Sequence, residues 1–144
     1  MSTHNASRTL PYSCEQLFDL AADVESYPEY LPGWTNARIL ESTGNRLRVE
    51  QRLGLKPFMR AFVTTVVLDR PEIISIHSDD APFRFLQIEW RFEPAGPGQC
   101  TVSLEFNYQM RVGLVERMAA VLFEQASPEI IKRFGRRAHR LYGG

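Results

Sequence analysis

Between Phe83 and Glu93, large apolar side chains hold every second position: Leu86, Ile88, Trp90 and Phe92 alternate with Gln87, Glu89, Arg91 and Glu93. A period of two belongs to a strand with one face against apolar material and the other in water. The alternation returns near the end of the chain. There Cys100, Val102, Leu104, Phe106, Tyr108 and Met110 share one face, and Thr101, Ser103, Glu105 and Asn107 the other. A chain that lines a sheet with such flat, bulky groups builds either a thick core or an apolar pocket, and its function turns on which.

The segments around this strand extend the pattern. Strand-like stretches cover 34–42, 46–54, 58–68, 73–78, 83–93 and 99–110. Between them stand Thr43-Gly44-Asn45, Gly54-Leu55-Lys56-Pro57, Asp69-Arg70-Pro71, Asp79-Asp80-Ala81-Pro82 and Ala95-Gly96-Pro97-Gly98. Connections this short cannot make parallel crossovers, so six strands form an antiparallel meander. In the 46–54 strand, Leu47, Val49, Leu53 and Leu55 share a face with one polar residue, Gln51.

Before the meander, residues 4–11 read as a first strand and 14–24 as a helix. Ser13 and Gln16 have capping-box spacing, with Tyr12 and Leu17 placed as a hydrophobic staple. Tyr27-Pro28-Glu29-Tyr30-Leu31-Pro32 reads as a short turn or loop, because each proline disfavours helical dihedrals in its predecessor. After the meander, a helix over 114–141 carries the stripe Leu114, Met118, Val121, Leu122, Ala126, Ile130, Phe134, Ala138 and Leu141. Pro128 interrupts it at a cost of roughly 3 kcal/mol in an unbroken helix, so a kink or break is expected there.

A length of 144 residues fits a single domain over 1–144. Such a chain buries roughly 68–70% of its unfolded surface and needs no covalent staples. Cys14 and Cys100 lie far apart in different elements, suggest no disulfide framework, and favour a reducing compartment. The zero net charge argues against binding DNA through overall charge. No apolar run approaches the ~20 residues that span a bilayer, and the first ten residues lack signal-peptide features. The expectation is a cytoplasmic protein whose membrane contact, if any, is peripheral, at the inner membrane.

Catalytic signatures are sparse. His4, His77 and His139 fall in separate elements without metal-ligand spacing, and no catalytic elbow, phosphate loop or dinucleotide fingerprint occurs. His77 reads as solvent-facing. Cys14, at a helix N-terminus, sits where a thiolate is favoured, but a small residue in a first turn is the simpler account of it. No catalytic or metal-binding residue is therefore assigned.

The order of elements is strand, helix, turn, meander, long helix. It is an α+β arrangement in which a curved antiparallel sheet must bury its apolar face against the stripe of the last helix. Three stretches carry a resemblance. Asp23-Val24-Glu25-Ser26-Tyr27-Pro28-Glu29-Tyr30-Leu31-Pro32, Ala81-Pro82-Phe83-Arg84-Phe85-Leu86 with Trp90-Arg91-Phe92, and Arg136-Arg137-Ala138-His139-Arg140-Leu141-Tyr142-Gly143 resemble the coenzyme Q-binding START-domain family of the helix-grip, polyketide cyclase-like superfamily. The resemblance implies a helix-grip, START-like fold with a lipid-sized cavity. It further implies a non-catalytic role in binding ubiquinone as a ligand, with no other cofactor, for respiration or its biosynthesis. Relatives in the same group include ribosome association toxins and polyketide aromatase/cyclases. Two positions depart from the family pattern: Gly33-Trp34 stands where Trp-Cys is usual, and Ala81 where Gly is usual.

On this reading Trp34, Gln51, Phe58, Phe62, Trp90, Phe106, Tyr108, Met118 and Leu122 line the ligand site. Gln51 is the notable member, since a buried amide without a partner costs on the order of 1–3 kcal/mol, and a quinone carbonyl or a water would satisfy it. Tyr108 adds a second polar tip. Arg133, Arg136, Arg137 and Arg140, with Lys132, crowd the end of the last helix. Cations there complement the helix dipole; they equally form a surface for an anionic membrane or for ribosomal RNA. The expected partners are an isoprenoid quinone, a membrane surface and a ribosome, and no DNA.

Overall fold

Each of the six predicted meander strands pairs with the next, and the first strand of the chain pairs with the last. The computed structural model describes residues 2–55, 58–80, 83–111 and 113–143, and the side chains of all of these except 2, 53–55, 58–60, 114–116, 118, 119, 121–123 and 125. The strands are β1 (Ser2–Leu10), β2 (Trp34–Thr43), β3 (Arg46–Leu55), β4 (Phe58–Asp69), β5 (Ile73–Ser78), β6 (Phe83–Gly96) and β7 (Gln99–Met110). They form one antiparallel sheet in the order β1-β7-β6-β5-β4-β3-β2. Ser2 lies opposite Tyr108 and Leu10 opposite Cys100. At the β2–β3 turn, Gly44 takes φ 59°, a left-handed conformation that glycine reaches without a Cβ clash.

The alternation predicted for β6 and β7 holds: Leu86, Ile88, Trp90 and Phe92, and every even residue from Cys100 to Met110, are buried. β2 departs from simple alternation. Trp34 and Ala37, three residues apart, are both buried, and the pairing with β3 shifts between Trp34 and Asn36. The bulge takes up the extra residue, so the indole displaced by Gly33 still reaches the inner face.

Helix α1 (Cys14–Ala22) begins at the predicted capping box. Ser13 Oγ accepts the Gln16 N–H at 3.1 Å, and Gln16 Oε1 accepts the Ser13 N–H at 3.0 Å. A 3-10 turn (Val24–Ser26) follows α1, and within residues 27–32, read as a short turn or loop, Tyr27–Tyr30 form one helical turn, α2. Pro28 falls in the first turn of α2, where the N–H it lacks has no intrahelical partner to lose.

Helix α3 (Gly113–Tyr142) runs through Pro128 without the expected break. Pro128 is exposed, while Ile130, Ile131, Phe134 and Ala138 beyond it are buried on the sheet. Burying side chains of this size stabilises by roughly 1.5–3 kcal/mol each, enough together to outweigh one local defect. Leu141, expected on the buried stripe, is 53% exposed. Polar bonds tie down that end instead: Tyr142 O–H donates to the Gln16 carbonyl at 2.9 Å, and Tyr12 O–H to the Gly143 carbonyl at 2.5 Å. Helix α3 packs on β1 and β7, and α1 on β5, β6 and β7. The two helices meet the sheet through aromatic pairs, Trp90 on Phe134 at 4.9 Å and Phe18 on Phe92 at 5.6 Å between ring centres.

Candidate functional site

The inner face of the sheet holds two polar groups flagged by the sequence, and both have partners. Gln51 is 1% exposed. Its Oε1 accepts the Trp34 indole N–H at 2.7 Å, and its Nε2 donates to Thr64 Oγ1 at 3.0 Å. Thr64 in turn donates to the Val49 carbonyl at 3.1 Å. The expectation of an unpartnered amide is therefore corrected: three buried side chains on β2, β3 and β4 satisfy one another. Tyr108 is likewise buried, with its hydroxyl 3.1 Å from His4 Nε2 and its ring stacked on the imidazole at 5.7 Å. Burial lowers the His4 pKa, against a smaller raising effect of Glu124, so the ring favours its neutral form and can accept the Tyr108 proton.

Of the predicted lining, Trp34, Phe62, Trp90, Phe106 and Tyr108 are buried on the inner face with Gln51. The side chains of Phe58, Met118 and Leu122 lie outside the described residues. Tyr27 joins the group, its ring edge-on to Trp34 at 6.0 Å and its hydroxyl donating to the Ala21 carbonyl at 2.5 Å. Burial pushes the Tyr27 phenol well above its usual pKa. Between sheet and α3, a void bounded by Tyr27, Trp34, Trp90, Phe106 and Ile130 measures about 10 Å³, room for about one water molecule. Around Trp90 the two layers are packed shut. Among the described residues, no group of three His, Cys, Asp or Glu side chains converges as a metal site. His77 is exposed, as expected.

The fold brings the distant cysteines together. Cys14 Sγ lies 2.7 Å from Cys100 Sγ, both thiols free and buried, joining the first turn of α1 to the start of β7. Burial, then the Cys14 contact, pushes the Cys100 thiol up to about 12.

A second site lies outside the sheet–helix interior. Arg133, Arg136, Arg137 and Arg140 recur at helical spacing along α3 and, with Tyr30 of α2, line a cleft of about 200 Å³. Tyr30 is 9% exposed and Arg137 is half-buried. The Arg137 guanidinium sits over the Tyr30 ring, 5.2 Å from its centre. Its Nη2 reaches Glu29 Oε1 at 3.5 Å, and Arg133 Nε donates to Glu129 Oε1 at 3.0 Å. Among the described residues, Arg136 and Arg140 have no carboxylate within 4 Å. Two buried polar atoms of the cleft, Tyr30 Oη and Arg137 Nε, have no hydrogen-bond partner among the described residues. Burial raises the Tyr30 pKa, Arg137 opposing it, so the phenol remains a donor. The four arginines were legible as a basic stripe. Tyr30 was not, although Tyr27 and Tyr30 stand at helical spacing.

Residues 10–135 match the family model described as polyketide cyclase / dehydrase and lipid transport. The chain belongs to this polyketide cyclase and lipid transport family. Its fold is the START-like one of that family: an aromatase/cyclase of Streptomyces, ZhuI, superposes with a TM-score of 0.86 at 17% identity, covering 96% of this chain and 94% of that one. Relatives within the family bear different names. Ribosome association toxin RatA of Pseudomonas aeruginosa is 33% identical over 99% of this chain and 100% of its own length. The mitochondrial coenzyme Q-binding protein COQ10 homolog B of Xenopus laevis is 26% identical over 97% of this chain and 59% of its own length. No helix among the described residues is long and apolar enough to cross a membrane.

Proposed function

We propose that this protein is a non-catalytic carrier of an isoprenoid quinone such as ubiquinone, held between the inner face of the sheet and α3. The observation that carries the reading is the make-up of that face. From Trp90 through Phe106 and Tyr108 to Phe62, Phe83 and Met110 it is buried and apolar or aromatic. The polar side chains on it that the sequence singled out, Gln51 and Tyr108, already have protein partners. A surface of this kind offers apolar contact and aromatic stacking to a ligand. The packed end around Trp90 leaves space for about one water. On this reading α3 moves from the sheet to admit the quinone. The coenzyme Q-binding relative lends the ligand its chemical class.

Organic extraction of the purified protein followed by mass spectrometry tests the reading, with titration of a short-chain ubiquinone beside it. Trp34 and Trp90 both face the interior, so bound quinone should quench their fluorescence saturably. Absence of a co-purifying quinone, together with no saturable quench, overturns the proposal.

A second reading, association with the ribosome, is favoured by the arginine-lined face of α3 and by the name of the Pseudomonas relative. Co-sedimentation of the protein with ribosomal subunits tests it.

A further inference from the structure

We propose that the arginine-lined clefts on the C-terminal half of α3 bind the phosphodiester backbone of single-stranded RNA. The choice of RNA rests on the second reading above and gives it a site. The cleft over Tyr30 carries donors suited to an anion. Tyr30 O–H and Arg137 Nε–H are, among the described residues, buried donors without partners. Such groups are rare in folded proteins because each has lost water and gained nothing in return. An oxygen of a phosphodiester seated between Arg133, Arg136 and Arg140 can accept from both once the exposed guanidiniums above them shift to uncover the two atoms. Four guanidiniums supply forked donors that match phosphate oxygens, and only Glu29 and Glu129 neutralise any of them among the described residues.

The neighbouring surface indicates a chain of phosphates rather than one. On the other flank of Arg136 a second concavity of about 570 Å³ is bordered by Arg8, Lys132 and His139 and floored by Gly135. A Cβ on Gly135 would approach Leu10 Cδ2 to 3.3 Å, so the close seating of α3 on β1 that shapes this floor depends on the missing side chain. Arg136 thus stands as a ridge between two basic hollows, and a backbone can lay successive phosphates on either side of it. A flat bilayer would meet the ridge and leave both hollows unfilled. Exposed guanidinium planes and the His139 ring also offer stacking surfaces to unpaired bases. The chain as a whole carries no net charge, so the attraction is local to this face.

The test is fluorescence anisotropy of a labelled oligouridine of about ten nucleotides with the intact protein, over a range of salt. Neutralising about three phosphates predicts that log K falls against log salt with a slope of about −2. Arg136→Glu and the Arg133→Glu/Arg140→Glu pair should each weaken binding at least ~10-fold. Both act on exposed side chains, and a thermal melt verifies that the variants are folded. Tyr30→Phe removes a hydroxyl but no charge, so affinity should fall while the salt slope stays. Binding that is absent, or indifferent to the charge reversals, overturns the proposal. Binding of phosphatidylglycerol vesicles in place of RNA overturns it too. Ribosome co-sedimentation separates the two levels. If wild type and Arg136→Glu sediment alike, the second reading stands and the cleft falls. If neither sediments while wild type still binds the oligonucleotide, the cleft stands and the ribosome reading falls.

Discussion

The indole of Trp34 and the amide of Gln51 are bonded side chain to side chain at 2.7 Å, on neighbouring strands and away from solvent. Because Thr64 holds the other end of the amide, three strands are tied by one polar chain inside an otherwise apolar layer. Such a chain is favourable only while complete.

Breaking it at one place should therefore leave a buried partner stranded. Gln51→Leu strands the Trp34 N–H, and Trp34→Phe strands Gln51 Oε1. Each should lower stability by about 1–3 kcal/mol, and the double variant by clearly less than the sum. Urea melts of the four proteins measure the coupling. Strict additivity would show that the bond contributes nothing.

The Cys100 thiol should be unreactive in the native state. With its pKa near 12, Cys100 carries little thiolate at neutral pH, and the thiolate is the nucleophile. A maleimide should label it on the order of a thousandfold more slowly in the folded protein than in denaturant. Rapid labelling of Cys100 under native conditions would contradict the burial of the pair.

His4 gives stability a dependence on pH. Its folded pKa lies below the ordinary histidine value of 6.5, chiefly through burial. The unfolded chain then binds more protons wherever pH lies between the two values, so stability rises with pH in that window and levels off above 6.5. Urea midpoints for wild type should fall on acidification through this range. His4→Gln, which keeps a hydrogen-bonding side chain near Tyr108 without a titrating group, should lose that part of the dependence. Identical pH profiles for the two proteins would mean that His4 is not the group responsible.

Pro128→Ala should stabilise the protein by ~1–3 kcal/mol, since it restores an N–H for the Glu124 carbonyl and removes the ring clash. If α3 lifts to admit the quinone, the stiffened helix should slow quinone uptake and release together and leave affinity nearly unchanged. Stopped-flow quenching of the interior tryptophans reads both rates. Unchanged rates in a stabilised variant would assign the proline a role in helix shape alone.

The strands were legible to within a few residues because period-two burial and short turns are local signals. Phe83–Gly96 and Gln99–Met110 carried both. Gln51 stood out as a polar residue in an apolar row, but its partner did not, because the bulge after Trp34 that aims the indole inward is a property of pairing between strands. The nearness of Cys14 to Cys100 was hidden for the same reason: it depends on how α1 packs on β7. Tyr30 escaped because two prolines masked a single helical turn. The buried ends of Tyr30 and Arg137 come from residues over a hundred positions apart, which no window along the chain can relate.

The pairing of β1 with β7 has a consequence for synthesis. The strand made first has its only sheet neighbour in the strand made last, with Ser2 opposite Tyr108. Hairpins from β2 to β7 can zip in order as they emerge, since each joins strands adjacent in sequence. The first strand must wait, unpaired, for nearly the whole chain to follow it, and α3, which covers both, comes later still. The nascent protein thus completes its sheet only after β7 has emerged, and an interruption of translation before Gln99 leaves β1 with an open edge and nothing to close it.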